Sequence, residues 1–256
     1  MSYLVLYGIL GSLLAGLATG AGALPILLNI RVTERLLDTL LGGAAGVMLA
    51  ATSFSLIVPG IEAGTRVAGG FWGVWLVILG ILAGALFLHK ADTLIPHEHF
   101  QSGPEGPSRT LRKTWLFVLA ITIHNFPEGL AVGVGFGSGD TAAAIALAFG
   151  IGLQNMPEGL AVAIALMREG YSKGRALWIA TASGLVEPIA GALGASVVVI
   201  AMTFLPFAMG FAAGAMLFVI SDEIIPETHS RGNHLHATYG VMFGFVIMTS
   251  MDNLLG

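Results

Sequence analysis

His124-Asn125-Phe126-Pro127-Glu128-Gly129-Leu130-Ala131-Val132 and Gln154-Asn155-Met156-Pro157-Glu158-Gly159-Leu160-Ala161-Val162 are two copies of one nine-residue pattern. Each lies about halfway along an apolar run long enough to cross a bilayer as a helix, which takes about 20 residues. In each copy the first residue and the Glu are four apart, and the Asn and the Glu are three apart. That spacing puts all three side chains on one helical face. Pro127 and Pro157 have no N–H, so the carbonyls of Ile123 and Leu153 lose their helical partners. Within a membrane such freed carbonyls are tolerated only where protein, water or an ion satisfies them. Paired, proline-interrupted spans of this kind point to a transporter's binding site. The tripeptide Pro-Glu-Gly alone carries no weight, because Pro104-Glu105-Gly106 repeats it in a polar loop.

Composition agrees with a membrane reading. Of 256 residues 55% are hydrophobic and only 10% charged, and the mean hydropathy is +0.86. Ordinary soluble domains do not look like this. Small residues recur four apart, as at Gly42/Gly46, Gly80/Gly84, Gly129/Gly133, Gly210/Gly214 and Gly240/Gly244, a spacing that lets helix backbones approach closely. With no Cys, disulfides and thiolate metal sites are excluded. The first span is too long, and lacks the basic flank and cleavage site, to read as a removed signal peptide.

Eight spans are expected, over 3–29, 36–61, 70–88, 114–137, 141–167, 176–203, 205–221 and 237–255. Ten of the eleven Lys and Arg residues fall on alternate loops, Arg66 being the other. By the positive-inside rule both termini then face outside. Residues 89–113 form a long cytosolic loop bearing His89, His97 and His99, and the turn after span seven carries His229, His234 and His236. His-x-His beside Glu98 can hold a transition metal; solvated loop histidines are the plainer reading. Ala44-Ala45-Gly46-Val47-Met48-Leu49 resembles Ala212-Ala213-Gly214-Ala215-Met216-Leu217, each followed by a Pro, Pro59 or Pro226. Spans two and seven run in opposite directions, so the copies are inverted. The expected fold is an all-α polytopic membrane protein of one domain, with spans 1–3 repeated as spans 6–8 and spans 4 and 5 at the centre.

Glu128, Glu158 and Glu187 are each expected near the middle of a span. A charge there costs about 2.5–3.5 kcal/mol on an insertion scale, and every Lys and Arg lies in a loop or at a span end. Protons and metal ions are the remaining partners. His124, Gln154, Asn125 and Asn155 add neutral donors at the same level. Carboxylates, amides and an imidazole without thiols suit a borderline divalent ion such as Zn²⁺, Fe²⁺ or Mn²⁺. Met48, Ser55 and Glu62, spaced by seven, are candidates for a path to the outer mouth, with plain packing the alternative for Met48. Asp222, Glu223 and Glu227 are candidates along the same pathway.

At these residues the chain resembles the ZIP (Zrt/Irt-like) family of divalent-metal transporters, in particular its bacterial GufA-like branch. The resemblance spans the whole chain, and His-Asn-x-Pro-Glu-Gly is its most specific part. It implies uptake of Zn²⁺, and of related ions such as Fe²⁺, Mn²⁺ or Cd²⁺, toward the cytosol across a bacterial inner membrane. It implies a main site of His124, Glu128, Gln154 and Glu158, and a second of Asn125, Asn155 and Glu187 that shares the two central glutamates. It also implies a homodimer and movement of one helix bundle against another. Gln154 stands where many members have His, and Asn155 where some bacterial relatives have Asp. The metal ion is substrate; the other partner is the lipid bilayer, and neither an organic cofactor nor a nucleic acid is expected. An intramembrane metalloenzyme is the competing class, though no His-Glu-x-x-His pattern or nucleophile beside His124 supports it. An exporter with the same site is the other alternative.

Overall fold

The computed structural model describes residues 2–28, 32–94, 97–99, 103–105 and 113–255, and among these it is helical apart from one small ribbon. Eight rods follow one another. They are α1 (Ser2–Ala23, extended by a 3-10 turn Leu24–Leu28), α2 (Glu34–Ala68), α3 (Gly70–Leu94), α4 (Lys113–Gly137), α5 (Thr141–Arg168), α6 (Lys173–Ile200), α7 (Met202–Ser230) and α8 (His234–Leu255). Between α3 and α4, β1 (His97–His99) pairs antiparallel with β2 (Gly103–Glu105), setting His97 opposite Glu105. Gly69, Gly139, Gly170 and Gly232 supply the positive φ at four of the turns between rods. Thr33 and Asp140 cap α2 and α5, accepting from the amides of Leu36 and Ala143 at 3.2 Å.

All rods but α5 and α8 include a stretch long and apolar enough to cross a membrane by length and composition. Those two contain 28 and 22 residues, or about 42 and 33 Å at 1.5 Å per residue. Packing places them beside the others. Gly42 and Gly46 of α2 meet the backbone at Ala237 and Val241 of α8, in ascending order on both helices. The helices are therefore parallel and in register, and α8 crosses the same depth as α2. In the same way Gly80 and Gly84 of α3 meet Phe207 and Phe211 of α7. Gly129 and Gly133 of α4 meet Glu187 and Gly191 of α6. Two bundles result, α2/α3/α7/α8 and α1/α4/α5/α6, each closed by backbone-to-backbone contacts at small residues.

Three rods depart from a plain α-helix, each at a proline. In α2 the segment Ala51–Ile57 is π-helical and precedes Pro59. In α7 the segment Ile220–Ile224 is π-helical and precedes Pro226. Neither proline can donate to the carbonyl four residues back, and the ladder before it widens to i→i+5 bonding. In α6 the helix breaks at 185–186, where Pro188 cannot donate to Gly184, and restarts at Glu187. Pro127 and Pro157, by contrast, sit inside unbroken helices.

These details correct two expectations. Helix α3 continues to Leu94, so His89 is helical and packs its ring 6.1 Å from Phe218. Helix α7 continues to Ser230, so His229 is helical too, while His234 and His236 occupy the first turn of α8. Glu187 lies near the middle of α6, where it begins the second half of that rod. The side chains of His97 and His99 lie outside those described.

Candidate metal centre

The seven residues expected at the centre, His124, Asn125, Glu128, Gln154, Asn155, Glu158 and Glu187, are all buried, none more than 7% exposed. Helices α4 and α5 carry six of them, and the restart of α6 carries the seventh. There the helix dipole favours a carboxylate in the first turn. Gly129 and Gly159 make this packing tight. The first closes on the backbone of Glu187, the second on that of Thr19 in α1. Equivalent positions in the two motifs therefore pack against the backbones of different helices, α6 on one side and α1 on the other.

Within the centre, the amide nitrogens of Gln154 and Asn155 hold carboxylates and their oxygens are left over, while both the nitrogen and the oxygen of Asn125 are buried without a partner. Gln154 Nε2 donates to Glu128 Oε1 at 2.7 Å. Asn155 Nδ2 donates to Glu187 Oε1 at 2.7 Å and to the carbonyl of Ala15 at 2.9 Å. Gln154 Oε1, Asn155 Oδ1, Asn125 Oδ1, Glu128 Oε2, Glu158 Oε1 and Glu187 Oε2 are all buried without a hydrogen-bond partner. Folded proteins satisfy the great majority of such groups, because each one left over costs about 1–3 kcal/mol. Six buried oxygens without donors, three of them from carboxylates, are left for a partner that brings positive charge or a proton. Among the described residues the one group of three His, Asp or Glu ligand atoms within 4.8 Å of one another is Asp92, Asp222 and Glu223.

His124 Nε2 pairs with Glu223 Oε2 at 2.6 Å, so the imidazole links α4 to the π segment of α7, and it also lies within electrostatic reach of Glu158. Glu223 in turn lies with Asp92 and Asp222 in a cluster whose ligand oxygens are all within 4.8 Å of one another. Asp92 and Glu223 are buried and Asp222 is exposed, so acidic groups lead from His124 to the surface. Sequence reading missed Asp92, which it placed in a loop. The available signal was an aspartate one turn past His89 on the same helix.

The other candidates separate. Met48 is fully buried in an apolar cluster with Leu88, Met216 and Met248, which is the packing reading. Ser55 donates to Asp252 Oδ1 of α8 at 2.6 Å, and Glu62 is exposed. Their spacing by seven does not define one face, because the π segment between them winds more slowly than an α-helix. Glu227 binds Arg231 at 2.7 Å. Arg231 also reaches Glu34 and the buried Asp38, and Arg168 of α5 pairs with Glu34. His229 bonds the carbonyl of Ile225 and the hydroxyl of Thr238. Among the described residues, His89, His229, His234 and His236 belong to no cluster of three ligands.

A bundle of membrane-length helices enclosing buried, unsatisfied carboxylate and amide oxygens defines a polytopic membrane protein with a polar centre. Comparison with known proteins agrees. The family model described as ZIP zinc transporter matches residues 96–252. A protein of Myxococcus xanthus named zinc transporter GufA is 44% identical over 252 residues, covering 97% of this chain and 99% of that protein. Zinc transporter ZIPB of Bordetella bronchiseptica is 45% identical, over 98% of this chain and 82% of its own length. Human zinc transporter ZIP11 is 36% identical, with 98% of each chain covered. The chain belongs to the ZIP family, a family of transporters rather than enzymes.

Proposed function

We propose that this protein carries Zn²⁺, and with lower preference other divalent transition-metal ions, across a bacterial inner membrane toward the cytosol. The ion is held by the carboxylates of Glu128, Glu158 and Glu187 with the amide oxygens of Asn125, Gln154 and Asn155. The single observation that carries this reading is the set of six buried oxygens without hydrogen-bond donors on two motif-bearing helices and the restart of a third. His124 changes partners in the cycle, ligating the ion in the centre or pairing with Glu223. From there Asp92, Asp222 and Glu223 receive the ion on its way to the cytosolic surface, and loop histidines His97 and His99 assist its delivery.

The two bundles are read as products of an inverted repeat. Exchanging α1 with α6, α2 with α7, α3 with α8 and α4 with α5 turns the α2/α8 contact into the α7/α3 contact. The same exchange turns α1/α5 into α6/α4. A pseudo-two-fold axis in the membrane plane, eight crossings and both termini outside follow from this reading, and a homodimer is its assembled form. The test is zinc uptake into proteoliposomes that contain only this protein. Uptake that needs Glu128 and Glu158 supports the proposal; equal uptake by protein-free vesicles overturns it.

A further inference from the structure

Between the two bundles lies an apolar groove of about 980 Å³, at the upper end of the range for ligand pockets. Gly43, Ala44 and Val47 of α2 form one wall, Phe243 of α8 another, and Met156 and Pro157 of α5 the floor. The floor residues belong to the second motif, so whatever fills the groove touches the backbone that carries Asn155 and Glu158. Polar groups are scarce along it. Thr39 is turned to its own helix, donating to the carbonyl of Arg35 at 2.7 Å.

One end of the groove is chemically distinct. Arg35 is one turn from Thr39 and two from Gly43, so it continues the α2 wall outward. It is exposed, and among the described residues it has no carboxylate within ion-pair distance. On α8 the wall continues through Tyr239, 64% exposed, to the exposed His236. An apolar trough lined at one end by Tyr239, with the exposed Arg35 and His236 one helical turn beyond it on its two walls, has the profile of a phospholipid: chain, interface and anionic head group. We infer that the groove binds one acyl chain of an anionic phospholipid from the leaflet at the Arg35 end, with the phosphate at Arg35. The lipid stands as a wedge between the bundles, against the motif helix. This inference does not depend on which ion is carried.

Gly43 provides the means to test it. A Cβ there meets only the carbonyl of Gly240, at 3.8 Å, whereas Gly42 and Gly46 beside it are closed against α8. Gly43→Leu therefore fills the groove without disturbing the helix contact. Protein purified in mild detergent from membranes containing phosphatidylglycerol and phosphatidylcholine is analysed by native mass spectrometry. Wild type should retain phosphatidylglycerol several-fold over phosphatidylcholine, Gly43→Leu should lose bound lipid, and Arg35→Gln should keep lipid but lose the head-group preference. Equal retention by wild type and Gly43→Leu overturns the inference. Should Gly43→Leu fail to fold, wild type is labelled with phosphatidylglycerol carrying a photoreactive acyl chain. Adducts concentrated on residues 39–47 and 239–247 support the site; even labelling across the lipid-facing surface of α3 overturns it. Cross-linking of Gly43→Cys chains to one another would show that a second copy fills the groove, and would overturn it as well.

Discussion

His124 Nε2 lies 2.6 Å from Glu223 Oε2, so the first residue of the first motif is tied to a helix of the opposite bundle. The imidazole cannot hold this partner and ligate an ion with the same nitrogen. Glu223→Gln should therefore leave zinc binding at the centre intact while slowing transport. A hydrogen bond to a charged group contributes about 1.5–3 kcal/mol, so the maximal rate should fall roughly tenfold or more. Uptake measured over a range of zinc concentrations separates this from a loss of affinity, which would contradict the exchange of partners.

Glu128→Ala and Glu158→Ala should each abolish uptake while the protein still inserts and folds. Each removes a carboxylate oxygen that is buried without a donor, and neither has Lys or Arg as a partner. Uptake normalised to protein in the membrane decides it; wild-type rates in either variant would remove these glutamates from the site.

Asn155→Asp should raise the number of ions held. In the wild type Asn155 donates to Glu187 at 2.7 Å, which leaves three carboxylates to balance two divalent ions. The substitution sets a fourth carboxylate against Glu187, and the pair requires a cation or a proton between them. Elemental analysis should find about one zinc per chain in the wild type and more in the variant, the principle being charge compensation in a poorly solvated site. Two equally tight ions in the wild type would contradict it.

Zinc affinity should fall as pH is lowered. A metal ion needs carboxylates and an imidazole without their protons, so binding releases protons and acid competes with it. The change should appear as pH falls from about 8 to about 5, the range in which an ordinary imidazole, with a pKa of about 6.5, takes up its proton. Zinc titrations in buffers of different ionisation enthalpy measure the released protons directly; a flat affinity over that range would exclude the linkage.

Gly159→Ala should destabilise the protein far more than Gly43→Ala. A Cβ at Gly159 collides with the carbonyl of Thr19, and one at Gly43 makes only an ordinary contact with the carbonyl of Gly240 at 3.8 Å. Overpacking of this kind costs about 1–3 kcal/mol. Thermal unfolding in detergent should show a lowered midpoint for the first variant and little change for the second.

The motifs and the apolar runs were legible because both are written in local sequence. Two copies of a nine-residue pattern marked six candidate residues that the structure buries on two helices, and small residues four apart marked the faces that pack. Helix ends were harder. Lys90 and Asp92 lower the hydropathy of α3 past residue 88, yet the backbone goes on bonding to Leu94. Glu227, His229 and Arg231 disguise the end of α7 in the same way. The π segments and the break before Glu187 were foreshadowed by Pro59, Pro226 and Pro188, but the same residue leaves α4 and α5 unbroken at Pro127 and Pro157. Proline removes one donor in every case; the packing around it decides whether the ladder widens, breaks or closes over the gap. The pairing of His124 with Glu223 joins positions 99 residues apart, and no local pattern records it.

The widened turns of α2 and α7 bear on how these helices can be edited. A π turn accommodates about one residue more than an α turn. Excising a single residue from Ala51–Ile57 or Ile220–Ile224 therefore allows the rod to regularise instead of forcing its distal half to rotate by about 100°. Elsewhere in the bundle a one-residue deletion would turn the glycine stripes away from their neighbours. The mid-membrane portions of α2 and α7 are thus the places where the helical reading frame has slack.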